Sequence, residues 1–122
     1  MITALGGVTI WSSDLKNLLP FYRDALGLPV RMDTPEFVLL GEENAPALGL
    51  GTHSEVRGKA TDPYRIMVGF LTTDIKADAA RMTSAGVEFI EQPNLQPGGG
   101  LWLATFRDPE GNIGQLFQFV TA

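Results

Sequence analysis

The stretch Phe106-Arg107-Asp108-Pro109-Glu110-Gly111-Asn112-Ile113-Gly114-Gln115-Leu116-Phe117-Gln118-Phe119 decides the fold of this chain. Its centre is typical of a tight turn, because Pro109 presets φ and Gly111 can adopt a positive φ. Apolar residues before and after the turn favour strands. The stretch therefore predicts a β-hairpin, and the rest of the chain has to supply the elements that this hairpin completes.

Length and composition predict a globular protein. The chain has 122 residues, of which 44% are hydrophobic and 19% charged, which is enough to bury a core in one compact domain. No apolar run is long enough to span a bilayer, and Met1 to Ala4 lack the basic segment that begins a signal peptide. With no cysteine there is neither a disulfide nor a thiolate metal site. We expect a cytoplasmic protein without a membrane partner.

The charge of the chain limits its partners. A formal net charge of −5 argues against nucleic acid, because binding requires Lys and Arg to neutralise phosphates. The same charge is compatible with a neutral or cationic partner.

The first half of the chain predicts one helix among four strands. Leu5 to Trp11 form a strand rich in β-branched residues, and Asp14 is a good N-cap for the helix that follows. Pro20 predicts a kink or a late start of this helix, and Gly27 ends it. Three further strands are predicted at Leu28 to Met32, Glu36 to Leu40 and Ala47 to Thr52.

The second half repeats this order. A strand is predicted at Arg65 to Leu71, Asp74 caps a helix, and Gly86 closes it. Three more strands follow, at Val87 to Glu91, Leu101 to Arg107 and Ile113 to Phe119, with a loop from Gln92 to Gly100. The repeat predicts an α+β fold of two βαβββ modules, residues 1–57 and 64–122, joined by a linker at 58–63 within one compact domain.

Two segments carry a resemblance to a known family. Phe21-Tyr22-Arg23-Asp24-Ala25-Leu26-Gly27-Leu28-Pro29-Val30 and Asp108-Pro109-Glu110-Gly111-Asn112, within two βαβββ modules, resemble the vicinal oxygen chelate superfamily of glyoxalases, bleomycin-resistance proteins and extradiol dioxygenases. The resemblance covers essentially the whole chain. It implies that the modules form a curled mixed sheet enclosing a cup, and that the protein is a homodimer.

The metal ligands of that family are not retained. The resemblance implies four ligands, on the first and last strands of the modules, and these positions correspond here to Gly7, Gly49, Met67 and Gln115. Glycine offers no donor side chain, and a thioether is a poor ligand for hard cations. We expect no cofactor and no stoichiometric divalent cation. The one histidine, His53, lies in no ligand spacing that would replace these donors.

Strand alternation predicts the lining of the cup. If the implied ligand positions face inward, glycines leave room there and aromatic or soft apolar groups line the walls. Trp102 is placed on a neighbouring strand near the rim, and His53 is placed as a polar contact. The predicted ligand-binding residues are Gly7, Thr9, Trp11, Gly49, His53, Met67, Gly69, Leu71, Trp102, Gln115 and Phe117; no catalytic residue is assigned.

Three functions are compatible with these residues. The favoured one is a metal-free protein that sequesters an aromatic or apolar ligand, a cationic one included, because such a lining suits a flat ligand. The second is a metal-dependent lyase, isomerase or dioxygenase with unconventional ligands. The third is a non-catalytic interaction module whose cup is filled by its own side chains, since large apolar groups are usually packing.

Overall fold

The computed structural model describes residues 1–120; residues 121 and 122 of the predicted second module lie outside them. The chain divides into two compact units, Met1–Gly58 and a second that begins at Lys59. Each unit contains one four-stranded mixed sheet, and its elements follow one another along the chain in the order βαβββ. The predicted α+β fold is therefore confirmed.

The first unit packs its helix on one face of its sheet. Its elements are β1 (Gly7–Ser12), α1 (Leu15–Leu19), β2 (Val30–Asp33), β3 (Phe37–Leu40) and β4 (Ala47–Thr52), with strand order β1-β4-β3-β2. Only β1 and β4 are parallel. The side chains buried between helix and sheet are Leu15, Leu18, Val38, Leu40, Leu48 and Leu50. We call the other side of the sheet the helix-free face of the unit.

Pro20 changes the helix type in the first unit. The α-helix ends at Leu19, and the chain continues as a π-helix over Pro20–Ala25. Leu26 N donates to the carbonyl oxygen of Phe21 five residues earlier, at 2.9 Å, which is the wider π-type bond. The kink predicted at Pro20 thus takes the form of a wider turn, because proline supplies no N–H to an α-helical bond.

The second unit repeats the arrangement. Its elements are β5 (Val68–Leu71), α2 (Ile75–Ser84), β6 (Glu88–Leu95), β7 (Leu101–Arg107) and β8 (Ile113–Phe119), with strand order β5-β8-β7-β6 and a parallel β5–β8 pair. Asp74 caps α2 by accepting from Ala77 N at 3.1 Å. Gln118 ties the same helix start to β8, because its Oε1 accepts from Ile75 N at 2.8 Å. Within residues 1–120, no helix has the length and apolar character needed to cross a lipid bilayer.

Several strand boundaries differ from the predictions, those of β1, β2, β5 and β6 by two or more residues. β1 begins at Gly7 and β5 at Val68, later than predicted. β6 continues to Leu95, so the predicted loop from Gln92 to Gly100 is wrong over its first part. Pro93 suggested a loop because it donates no hydrogen bond, but β6 is an edge strand, where a missing donor is tolerated.

The hairpin that decides the fold is present. β7 and β8 pair antiparallel from Leu101 opposite Phe119 to Arg107 opposite Ile113. Asp108 organises the turn: its Oδ1 accepts from Glu110 N at 2.8 Å and from Asn112 N at 2.9 Å. Gly111 has a φ of 83°, which favours glycine. The local turn chemistry therefore predicted this element correctly.

Candidate functional site

On the helix-free face of the first unit, aromatic rings cover glycines. The register sets Gly51 of β4 opposite both Trp11 of β1 and Phe37 of β3. A Cβ on Gly51 would come 2.5 Å from Cζ3 of Trp11 and 2.9 Å from Cδ2 of Phe37. A Cβ on Gly49 would likewise come 2.8 Å from both Cζ of Phe37 and Oγ1 of Thr9. These glycines accommodate the unit's own side chains, which corrects the expectation that they leave room for a ligand.

Gly7 has a different structural reason to be glycine. A Cβ at Gly7 would overlap the carbonyl oxygen of Ala47, its neighbour on β4. The position is therefore fixed by close approach of two backbones. The predicted role of Gly7 as open space in a cup is not supported.

Trp11 and His53 form an aromatic contact on this unit. Their ring centroids lie 5.5 Å apart in an edge-to-face arrangement, and Phe37 lies 6.0 Å from Trp11 on its other side. Nδ1 of His53 accepts from Glu55 N at 3.0 Å, so the proton of a neutral imidazole resides on Nε2. Trp11 retains 43% of its surface exposed, which leaves an indole surface beside that donor.

On the helix-free face of the second unit, polar side chains form a row across the sheet. Glu91 of β6 pairs with Thr105 of β7, and Thr105 pairs with Gln115 of β8. Gln115 in turn lies opposite Gly69 of β5. Directly opposed residues place their Cβ atoms about 4.5–5.5 Å apart. We call Glu91, Thr105 and Gln115 the polar row.

The polar row opens into a cavity of about 280 Å³. Its apolar walls are Met67, Ile90 and Leu103, and Tyr64 completes the lining with the three residues of the polar row. Thr105 is buried and Gln115 half-buried, whereas Glu91 is exposed at the rim. The cavity thus combines an apolar wall with polar groups at graded depth.

The side chains of the polar row have no polar partner within residues 1–120. Neither the Thr105 hydroxyl, the Gln115 amide nor the Glu91 carboxylate makes a side-chain hydrogen bond or ion pair there. No buried side-chain oxygen or nitrogen among the described residues lacks a partner, so the Thr105 hydroxyl is accessible through the cavity. The row therefore offers hydrogen-bonding capacity that the fold does not use.

The other predicted residues of the second unit divide between the two sides of its sheet. Phe117 lies over Gly69, where a Cβ would come 2.6 Å from Cε1 of its ring, and Leu71 pairs with Phe117 and is 68% exposed. Trp102 pairs with Gln118, one position out of phase with the polar row. Nζ of Lys76, from α2, lies 4.5 Å from the Trp102 ring centroid. The rim position predicted for Trp102 is therefore wrong, because its side chain lies on the helix side.

The residues at the implied metal positions do not fit a divalent cation. Gly7 and Gly49 supply no donor side chain, and Met67 supplies a thioether. Across residues 1–120 there is no group of three or more His, Cys, Asp or Glu side chains that could hold a metal ion. Gln115 and Glu91 line the same cavity, but two oxygen ligands are fewer than a hard cation normally requires. No metal chemistry is assigned to this site.

Sequence reasoning missed several residues that form the two faces. They are Phe37 in the first unit and Tyr64, Ile90, Glu91, Leu103 and Thr105 in the second. Strand alternation in β7 and β8 could have found Thr105 and Leu103, because both share the face of Gln115 once the hairpin is registered. No such signal exists for Ile90, which lies at an irregularity between Phe89 and Glu91.

Comparisons with known proteins agree with this architecture. A glyoxalase/bleomycin resistance protein/dioxygenase family enzyme from Burkholderia phytofirmans PsJN superposes with a TM-score of 0.75 at 19% identity, covering 97% of this chain and 100% of that one. A protein of unknown function from Agrobacterium tumefaciens gives 0.76 at 21% identity, covering 98% and 97%. A virulence protein from Salmonella typhimurium gives 0.73 at 22% identity, covering 98% and 99%. At these identities the likeness concerns the fold.

Sequence comparison identifies the family of the chain, which the structural likeness alone does not. None of the curated proteins matches it significantly in sequence. The family model for the Glyoxalase/Bleomycin resistance protein/Dioxygenase superfamily matches residues 4–116, which is nearly the whole chain. This chain therefore belongs to the glyoxalase/bleomycin resistance protein/dioxygenase superfamily.

Proposed function

We propose that this chain is a small-molecule-binding protein that holds its ligand in the cavity of the second unit, without a metal. The observation that carries the proposal is the polar row, whose three side chains have no partner within residues 1–120 and meet an apolar wall. Ligand sites combine apolar walls with a few placed polar groups in this way.

The energetics of the polar row support a ligand. A buried hydroxyl or amide without a partner costs about 1–3 kcal/mol relative to a paired one. Thr105 is only 7% exposed, so its hydroxyl obtains a partner only from what enters the cavity. Within residues 1–120 none of the three side chains of the polar row makes a hydrogen bond that would stabilise the fold, whereas a bound molecule with matching polar atoms would pair with all three.

The body of the ligand is apolar or aromatic. Met67, Ile90 and Leu103 form the wall that would receive it, and Met is well suited to surfaces that adapt to a ligand. A volume of about 280 Å³ lies just below the usual range for small-molecule sites, which begins at about 300 Å³. The ligand is therefore of the size of a substituted single ring.

We also propose that the protein is a homodimer, as the family resemblance implied. The edge strands β2 and β6 expose Val30, Met32, Ile90 and Leu95, and exposed apolar edges invite pairing with another chain. Light scattering at micromolar concentration is expected to give the mass of two chains. A monomer under those conditions would contradict this part of the proposal.

The binding site is testable through its methionine. Labelling the methionine methyl groups with ¹³C gives an NMR resonance for each methionine. Met67 reports on the cavity, Met82 reports on the core, and Met32 reports on the first unit. A library of single-ring amines, alcohols and acids is expected to contain compounds that shift the Met67 methyl resonance and leave the Met82 resonance unchanged. If no compound shifts the Met67 resonance, the proposed function is wrong.

A matched pair of variants locates the ligand. Leu103→Phe adds a ring to the cavity wall, whereas Leu101→Phe makes the same substitution on the same strand outside the cavity. We expect Leu103→Phe to abolish binding and Leu101→Phe to retain it. Equal binding by both variants would place the ligand elsewhere.

Elemental analysis of the purified protein is expected to give less than stoichiometric divalent metal, and one ion per chain would contradict metal-free binding.

A further inference from the structure

Resting on that proposed function, we propose that the ligand is a small organic ammonium cation whose N–H groups are held by Glu91, Thr105 and Gln115. The sequence alone pointed to a cation only through its net charge. The register identifies the residues that would recognise one, and it places them on three adjacent strands of one sheet face.

The geometry of the polar row matches an ammonium group. Glu91 lies opposite Thr105, and Thr105 opposite Gln115, so their side chains are nearest neighbours on the sheet. Each of the three offers an oxygen that can accept a hydrogen bond: a carboxylate, a hydroxyl and an amide carbonyl. A primary ammonium has three N–H donors and no acceptor, so one nitrogen can donate to one oxygen of each member of the row.

The charge of Glu91 is not balanced by the unit's own basic residues. Arg65 pairs with Asp62 at 2.8 Å, Arg81 with Asp78 at 3.4 Å, and Lys76 lies over the Trp102 ring at 4.5 Å. Lys59 runs beside Gly111 at the β7–β8 turn.

Glu88 provides the internal contrast. It lies on the same strand as Glu91, and its Oε2 is 3.4 Å from Nε of Arg107, the last basic residue of the unit. Glu91 has no such neighbour among the described residues. Of these two glutamates, Glu91 lines the cavity and has no basic partner among the described residues, which favours a cationic ligand and disfavours an anion.

Three probes that share a phenyl body separate charge from shape. They are 2-phenylethylammonium, 2-phenylethanol and phenylacetate, and each is titrated into the 122-residue protein while the Met67 methyl resonance is followed. We expect the ammonium to bind at least about tenfold more tightly than the alcohol, as one charge-assisted hydrogen bond would give. Phenylacetate should bind most weakly, because its carboxylate faces that of Glu91.

Two matched variants test the assignment of the charge. Glu91→Gln keeps the size of the side chain and removes its charge, and we expect it to lower affinity for 2-phenylethylammonium about tenfold while affinity for 2-phenylethanol stays the same. Glu88→Gln makes the same change on the same strand, away from the cavity lining. It should leave the affinities for all three probes unchanged.

The outcomes distinguish this inference from the proposed function. If the alcohol or phenylacetate shifts the Met67 resonance at concentrations as low as the ammonium requires, the cavity binds ligands but the cation inference is wrong. If Glu91→Gln binds the ammonium as tightly as the wild type does, the inference is wrong in the same way. If none of the three probes shifts the Met67 resonance, both the inference and the proposed cavity are contradicted.

Discussion

The same row of the sheet has opposite chemistry in the two units. Register places corresponding positions in line across four strands of each sheet. The rows consist of Glu91, Thr105, Gln115 and Gly69 in the second unit and of Met32, Leu39, Gly49 and Thr9 in the first. The row of the second unit thus brings three polar side chains to a cavity, whereas the row of the first unit has one polar side chain, Thr9, and the ring of Phe37 covers its glycine.

The glycines explain the difference. In the first unit the glycines that receive rings are Gly49 and Gly51 on the last strand, β4, and the rings come from Trp11 on β1 and Phe37 on β3. In the second unit the glycine is Gly69 on the first strand, and it receives the ring of Phe117 from the last strand. The two sheets have corresponding strand orders, but the strand whose glycine receives a ring differs, and with it the part of the face that side chains fill. One βαβββ scaffold can thus carry an aromatic surface or a polar cavity.

The largest effect on the free energy of unfolding is expected at Gly7, where the backbone of the neighbouring strand leaves no space for a side chain. Gly7→Ala would bring its Cβ into the carbonyl oxygen of Ala47, so β1 and β4 must separate, and we expect a loss of about 3 kcal/mol. Gly6→Ala is the matched control, because a Cβ there meets nothing within 4 Å. Urea unfolding of both variants tests this comparison. Equal stability of the two variants would show that the β1–β4 contact is not limiting.

A smaller effect on the free energy of unfolding is expected at Gly51, where side chains and not backbone occupy the space next to the glycine. A Cβ on Gly51 would displace the Trp11 and Phe37 rings, which can move more easily than backbone, so Gly51→Ala should cost about 1–2 kcal/mol. In a Trp102→Phe background, the emission of Trp11 should shift as its ring moves. Gly100→Ala, where a Cβ also meets nothing within 4 Å, serves as control. An unshifted Trp11 emission in Gly51→Ala would contradict the packing of the Trp11 and Phe37 rings over Gly51.

The sequence predicted features that depend on neighbouring residues, such as helix caps and turns. It did not predict side-chain positions that depend on how one strand pairs with another. The Asp14 and Asp74 caps and the turn at Gly111 follow from chemistry within a few residues, and all three are present. The face of Trp102 was missed because it depends on how β7 registers with β8. Glu91 was missed because the irregularity at Ile90 shifts which residues of β6 face the polar row.

The smallest effect concerns an exposed ion pair on the helix of the first unit. Nε of Arg23 lies 2.8 Å from Oδ1 of Asp24, and this hydrogen bond lowers the pKa of Asp24. A lowered folded pKa stabilises the fold above the unfolded pKa, and the contribution is lost as pH falls through the folded value. Asp24→Asn should therefore melt slightly below the wild type at pH 7, and the difference should vanish once the pH falls through the lowered pKa of Asp24. A difference that persists there would assign the effect to something other than this charge.

The central claim is that the polar row of the second unit serves ligand recognition and not folding. Thr105→Val tests it most directly, because the substitution removes a hydroxyl that is reached through the cavity and has no protein partner within residues 1–120, and it keeps the shape of the side chain. We predict a free energy of unfolding equal to or above that of the wild type, within about 1 kcal/mol, together with weaker binding of 2-phenylethylammonium in the Met67 titration. Destabilisation by more than about 1 kcal/mol with unchanged binding would contradict the account, because the hydroxyl would then be structural.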